Sequence, residues 1–164
     1  MLPQLRSRYP SYAAFGASRI EDIFPASELQ QATVLEAHVF ASSVALNSGY
    51  GTFELVPLPV EAQFAPIYGS VAADFDGDGR IDLLLAGNQF GVPPVLGRYD
   101  ASYGVLLSGT GDGRFVAVDM ARSHLAIEGQ VRHMEPLRHA GGGRLIVVAR
   151  NNDKLQIIRP MRAK

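Results

Sequence analysis

The sequence predicts a mainly β fold of antiparallel strands, preceded by an N-terminal helical segment. Three observations predict it. From about Ala41 onward, short runs of Val, Leu and Ile alternate with clusters of Gly, Asn, Asp and Pro, the pattern of strands joined by tight turns. Before that point the texture is helical. And two stretches of the β region echo one another at long range.

Residues 1 to about 40 carry the helical signals. Ser18-Arg19-Ile20-Glu21 and Ser27-Glu28-Leu29-Gln30 both fit a capping box. There a Ser side chain takes a free amide of the first turn and a Glu or Gln reaches back. Ile20, Ile23 and Phe24 fall at i, i+3 and i+4, one helical face. Pro25 should end that helix. A second is expected from Glu28 to about His38. The β region then predicts strands near 42–47, 52–56, 69–73, 82–87, 103–108, 114–118, 130–136, 144–149 and 154–158.

The echo runs as follows. Ser43 to Phe53 and Gly104 to Phe115 each read as a strand, a Gly-rich turn and a strand opening on Phe. The two Phe residues lie 62 apart (115 minus 53). Gly69-Ser70-Val71 and Gly129-Gln130-Val131 form a second pair, 60 apart (129 minus 69). Each leads through a polar or Gly-rich turn into an apolar strand. A long recurrence of this kind is the mark of stacked supersecondary units. The third unit has Gly141-Gly142-Gly143 where the second has an acidic loop.

Composition narrows the function. The chain of 164 residues suits one ordinary domain. Its 15 basic and 16 acidic residues nearly balance, which gives no electrostatic pull toward nucleic acid or an anionic membrane. There is no cysteine, so disulfides and thiolate metal sites are excluded. No apolar run approaches the ~20 residues of a membrane-spanning helix. Met1 to Pro10 lacks the apolar core of a secretion signal. If the protein is exported, that signal is expected to be upstream or removed.

The chemistry concentrates in Asp74-Phe75-Asp76-Gly77-Asp78-Gly79-Arg80-Ile81-Asp82. Asp74, Asp76, Asp78 and Asp82 hold positions 1, 3, 5 and 9 of a loop. Calcium is a hard cation that takes six to eight oxygens. Alternate positions of a curled loop can aim carboxylates inward, and Gly77 and Gly79 permit the curl. Arg80, at position 7, would add its backbone carbonyl. Ile81 is expected to turn into the core. Four carboxylates this close would repel one another without a cation. The start matches an EF-hand loop, but position 12 is Leu85 rather than Glu, and the chain runs on into Leu83-Leu84-Leu85. A strand follows, so the loop is expected in a β-hairpin.

These residues, followed by Gly87-Asn88, a strand and Gly111-Asp112-Gly113-Arg114-Phe115, resemble the FG-GAP or VCBS-type repeats of β-propeller proteins. The closer resemblance is to bacterial exported proteins that share the propeller of cartilage acidic protein, in their C-terminal part. Ala41-Ser42-Ser43, Phe53, Leu58-Pro59, Gln63, Pro66 and Gly97-Arg98-Tyr99-Asp100-Ala101-Ser102 follow a similar order. The resemblance implies propeller-like antiparallel blades, two to three of them over residues 41–164. Calcium would sit in the 74–82 loop of one blade, with an inserted loop at 89–102 and the 1–40 segment packing on the β part. It also implies an extracellular or cell-envelope location. A propeller takes four to eight four-stranded blades. The chain therefore looks like the last blades of a longer protein, or a short one that protects its edges by oligomerising, by its own helices or by another chain.

The inserted loop offers Arg98, Tyr99 and Asp100 as a surface for a protein or glycan ligand. The plainer reading is that Arg98 and Asp100 pin the loop. His38, His124, His133 and His139 show no metal-site spacing. The Gly141–Gly143 run reads as a hairpin turn. Asn47, Asn88, Asn151 and Asn152 sit at turns, where Asn tolerates left-handed backbone.

The leading expectation is a non-enzymatic, calcium-binding interaction or scaffold module. A purely structural part of a larger propeller or complex is the second. A magnesium phosphatase of the haloacid-dehalogenase type is the third: Ser70 to Gly77 resembles its strand-then-Asp-x-Asp start. That reading needs alternating β and α elements and a Lys in mid-chain, and the two lysines are Lys154 and Lys164.

Overall fold

The computed structural model describes residues 3–160; Lys164 lies outside them. The chain divides into two compact units, meeting between Phe40 and Ala41.

The described residues of the first unit form four short helices, α1 (Pro3–Arg8), α2 (Tyr12–Gly16), α3 (Ile20–Ile23) and α4 (Ala26–Gln31). Their caps differ from the expected ones. Ser11 caps α2 by accepting from the Ala14 amide at 3.1 Å. Arg19 rather than Ser18 starts α3, with its amide donated to Asp22 at 2.9 Å. Ser27 lies inside α4, which starts after Pro25. α1 and α2 give no apolar stripe in the sequence. A T-shaped pair of Tyr9 and Phe15 rings, 5.5 Å apart, ties their ends together.

The helix expected to reach His38 stops at Gln31, and residues 32–40 have no regular structure. Ala32 is already extended, at ψ 138°. Thr33 and Val34 are stiff β-branched residues. Leu35, Val39 and Phe40 are exposed, so no burial offsets the cost of a further turn. Among the described residues of this unit none is buried.

The second unit is mainly β. Its described residues form nine strands in three antiparallel sheets. β1 (Ser43–Asn47) and β2 (Phe53–Pro57) form a two-stranded sheet. β3 (Ile67–Ala73), β4 (Asp82–Gly87), β5 (Val105–Gly109) and β6 (Phe115–Ala117) form a four-stranded meander in sequence order. After the one-turn helix α5 (Met120–Ser123) come β7 (Val131–Arg138), β8 (Arg144–Arg150) and β9 (Gln156–Ile158), a three-stranded meander. Each strand overlaps an expected one. Hydrophobic runs and turn residues sufficed because each strand pairs with its sequence neighbour.

Strand alternation explains the core. On one face of the four-stranded sheet Leu85 and Leu107 pack with Ala62, flanked by Leu58, Ile67, Leu83, Val105 and Phe115. On the other, Val71, Leu84 and Ala86 pack with Val131, Met134, Ile146 and Val148 of the three-stranded sheet, and with Ile127. β4 thus sends 83 and 85 one way, 84 and 86 the other. A strand buried on both faces reads as an unbroken apolar run, as Leu83-Leu84-Leu85-Ala86 does.

Two pairs of hairpins share detail. In the β1–β2 turn Ser48 donates its amide to Thr52 O at 3.0 Å, and in the β5–β6 turn Thr110 donates to Arg114 O at 3.0 Å. In each, the same residue's hydroxyl also bonds that carbonyl, at 3.0 Å. β3 and β7 both shift register near their start, between Ile67 and Gly69 and between Val131 and His133.

Candidate metal centre

The acidic loop joins β3 to β4. Asp74 follows the last residue of β3 and Asp82 opens β4. Asp74 organises the curl: its two carboxylate oxygens accept from the Gly77 amide at 2.6 Å and the Gly79 amide at 3.0 Å. Both glycines adopt left-handed backbone, with φ of 86° and 84°, which a side chain would disfavour. Asp76 accepts from the Asp78 amide at 3.1 Å, and Asp78 from the Arg80 amide at 2.8 Å. These two-residue Asx turns bend the chain at every second position.

The result brings Asp74, Asp76 and Asp78 together. Each offers one carboxylate oxygen, all within 4.8 Å of one another, on exposed side chains. Calcium–oxygen distances are 2.3–2.6 Å, so two ligands of one ion sit at most about 5 Å apart. Three hard oxygens at this spacing could hold one metal ion. Among the described residues this is the one group of three or more acidic, His or Cys side chains so placed.

Asp82 is not brought into that group. It is 2% exposed. Its Oδ2 accepts from the Phe75 amide at 2.8 Å and its Oδ1 from the Gly109 amide at 2.9 Å. One carboxylate therefore ties the foot of the loop to the end of β5. Gly109 has to be glycine, because a Cβ there would lie 2.1 Å from the Ile81 carbonyl oxygen. Ile81, expected to turn inward, is instead 56% exposed. The inward position falls one residue later, on Asp82, because the alternation is set by the strand that Asp82 begins.

Arg80 contributes its side chain visibly. Its Nε donates to Gly109 O at 2.8 Å, and its guanidinium pairs with Asp78. A cation on Asp78 would compete with this pairing. In the neighbouring β5–β6 turn, a hydrogen bond from the Thr110 hydroxyl, then one from the Arg114 amide, holds the Asp112 carboxyl below its usual value of 3.8.

The inserted loop begins with a bridge between Gln89 and Tyr99, closed by amide–carbonyl bonds of 2.8 and 2.9 Å. The Arg98 guanidinium lies 5.0 Å from the centre of the Phe90 ring. Tyr99 is 46% exposed and Asp100 is exposed. Arg98, Tyr99 and Asp100 are thus neighbours on a surface loop, with Arg98 held by stacking rather than by an ion pair to Asp100. Asn88, read only as a turn residue, is buried with φ 80°. Its amide nitrogen donates to Ser102 O at 2.8 Å and Gly129 O at 3.0 Å. It ties the end of the inserted loop to the turn that leads into β7. Left-handed Asn was legible in the sequence; the two distant carbonyls were not.

His133 lies beside Glu135 at 3.3 Å and His38 beside Glu36 at 3.2 Å, all exposed. His139 accepts the Gly141 amide within the Gly-rich turn. No family model, no curated protein and no solved structure matches this chain.

Proposed function

We propose that this chain is a non-enzymatic calcium-binding interaction or scaffold module of the FG-GAP/VCBS type, in which calcium orders the β3–β4 loop. The observation that carries the reading is the group of three carboxylate oxygens within 4.8 Å on a hairpin loop. Asp74, Asp76 and Asp78 would hold the ion directly, with the Arg80 carbonyl closing the ring. Asp82 supports the loop from beneath. The bound ion would supply charge neutralisation and a fixed loop shape. The four-stranded meander, packed on one face against the three-stranded sheet, is the arrangement expected of propeller-like blades, and the shared hairpin details support units of one design. An extracellular or cell-envelope setting accords with such loops, which work where calcium is near ~1 mM. Arg98, Tyr99 and Asp100 are the proposed contact with a protein or glycan partner.

The strands on either side of the acidic loop are antiparallel neighbours. The magnesium phosphatase reading needs a helix after its Asp pair, so it gains nothing here.

The test is thermal unfolding in calcium, magnesium or chelator, for the native chain and for Asp76→Ala with Asp78→Ala. At about 100 times the dissociation constant, binding adds about 2.7 kcal/mol. A calcium-selective rise in Tm that the double variant loses supports the reading. No rise, or a preference for magnesium with phosphatase activity, overturns it.

A second reading has its own observation. The outer sheets have two and three strands beside a four-stranded one, as in part of a larger propeller or complex. Sedimentation would find a self-associated species if copies of the chain complete one another.

A further inference from the structure

A separate cleft of about 500 Å³ opens between the start of the inserted loop and the three-stranded sheet. Gln89, Phe90, Gln130, Arg132, Asn151 and Asp153 line it. Its floor has more hydrogen-bond donors than acceptors. Gln89 Oε1 alone receives the Tyr68 hydroxyl at 3.1 Å, Gln130 Nε2 at 3.3 Å and Arg132 Nη2 at 2.9 Å. Arg132 Nη1 is buried and meets no acceptor at all. The buried Gln130 amide has two orientations, and neither resolves the excess. In one its oxygen takes Asn151 Nδ2 at 2.9 Å. In the other its oxygen takes the Phe90 amide at 3.0 Å and Arg132 Nη2, and its nitrogen faces Asn151 at 2.9 Å, so Arg132 Nη1 is unpaired either way.

A buried donor without a partner costs about 1–3 kcal/mol, and more when charged. Such groups are rare in native interiors and call for an explanation. The face of Arg132 is covered by the Tyr68 ring, 4.3 Å from the guanidinium carbon. That leaves its edge, the side that binds carboxylates in paired hydrogen bonds. The one carboxylate among the residues lining the cleft, Asp153, is engaged by Arg150 at 2.9 Å. The cleft therefore has a positive floor, amide side chains around it and an aromatic ring at its rim.

We propose that this cleft binds a sugar acid. The carboxylate would take the edge of Arg132 in place of the Gln89 carbonyl, which now stands in as a neutral acceptor. The amides of Gln130 and Asn151 would meet ring hydroxyls, and Phe90 would pack on a sugar face. The volume falls within the ~300–1,000 Å³ of small-molecule sites. The site shares no residue with the acidic loop, so it stands or falls independently of calcium.

D-glucuronate is the probe, with D-glucose as its uncharged counterpart, followed by amide chemical shifts of the full chain with calcium and with chelator. Millimolar glucuronate should shift the Phe90 and Asn151 signals in both conditions, and glucose should not. Arg132→Gln should weaken binding roughly tenfold or more with an unchanged circular dichroism spectrum. Gln89→Ala, which removes the stand-in acceptor, should tighten it, and decides the matter if Arg132→Gln does not fold. No shifts with glucuronate, equal shifts with glucose, or weaker binding in Gln89→Ala overturns the proposal.

Discussion

Replacing Asp82 by Ala separates a strut from a ligand. In the structure both its oxygens are used by protein, receiving the Phe75 amide at 2.8 Å and the Gly109 amide at 2.9 Å. The side chain is 2% exposed, so little water can take over. Asp82→Ala leaves two amides without an acceptor. An unsatisfied buried group costs about 1–3 kcal/mol, so the pair should cost about 2–6 kcal/mol. In a unit of this size each kcal/mol moves Tm by about 3–5 °C. A fall of about 6–30 °C is expected, and it should be equal in calcium and in chelator. Asp76→Ala should behave oppositely: little loss in chelator, and loss of the calcium-dependent rise. The assay is unfolding followed by circular dichroism, each variant in both buffers. If Asp82→Ala matches the native chain in chelator and differs only in calcium, Asp82 is a metal ligand and the strut argument fails.

Other outcomes follow from single contacts. Gly109→Ala would place a Cβ 2.1 Å from the Ile81 carbonyl oxygen, a clash that only backbone movement relieves. It should destabilise more than an average substitution, by over about 3 kcal/mol in urea unfolding. Leu107→Ala removes a fully buried side chain packed between the four-stranded sheet and Ala62 and should cost about 2–5 kcal/mol in the same assay. Arg80→Ala removes the positive charge paired with Asp78; calorimetry should show calcium binding a few-fold tighter, since exposed pairs are worth only about 0–1 kcal/mol. Thr110→Val removes the hydroxyl that most lowers the Asp112 carboxyl, so its titration by NMR should move up toward the usual value. The sign is that of a depressed acid. Its contribution is present above the unfolded value of 3.8 and fades as pH falls through the lower folded value. Acid unfolding should therefore begin at slightly higher pH in Thr110→Val.

The recurring hairpins, the apolar run of β4 and the acidic loop were legible in the sequence because each rests on local rules. Strands alternate, turns need Gly and Asn, and an Asp at every second position bends a loop around its own amides. Even so, locality misled at several points, the helix caps and Asp82 among them. The helix that looked continuous to His38 ended at Gln31, since exposed Val34, Leu35 and Phe40 had nothing to pack against. Ile81, apolar and beside a strand, stayed outside while a carboxylate went in.

By itself, the sequence determined the mainly antiparallel β class, the strand positions and the acidic loop between two strands, since all of these lie within a few residues of their partners; that Asp82 stays out of the carboxylate group was decided by its distant partner. Only the tertiary structure decided the rest. It set Asp82 under the Gly109 amide, Asn88 between Ser102 and Gly129, and Arg132 against Tyr68 and Gln89. These partners are tens of residues apart, and a polar side chain is held inside only where distant backbone happens to offer the complementary group. Hydrophobic pattern brings the sheets together, but the hydrogen-bonding groups that meet as a result are a property of the packed chain.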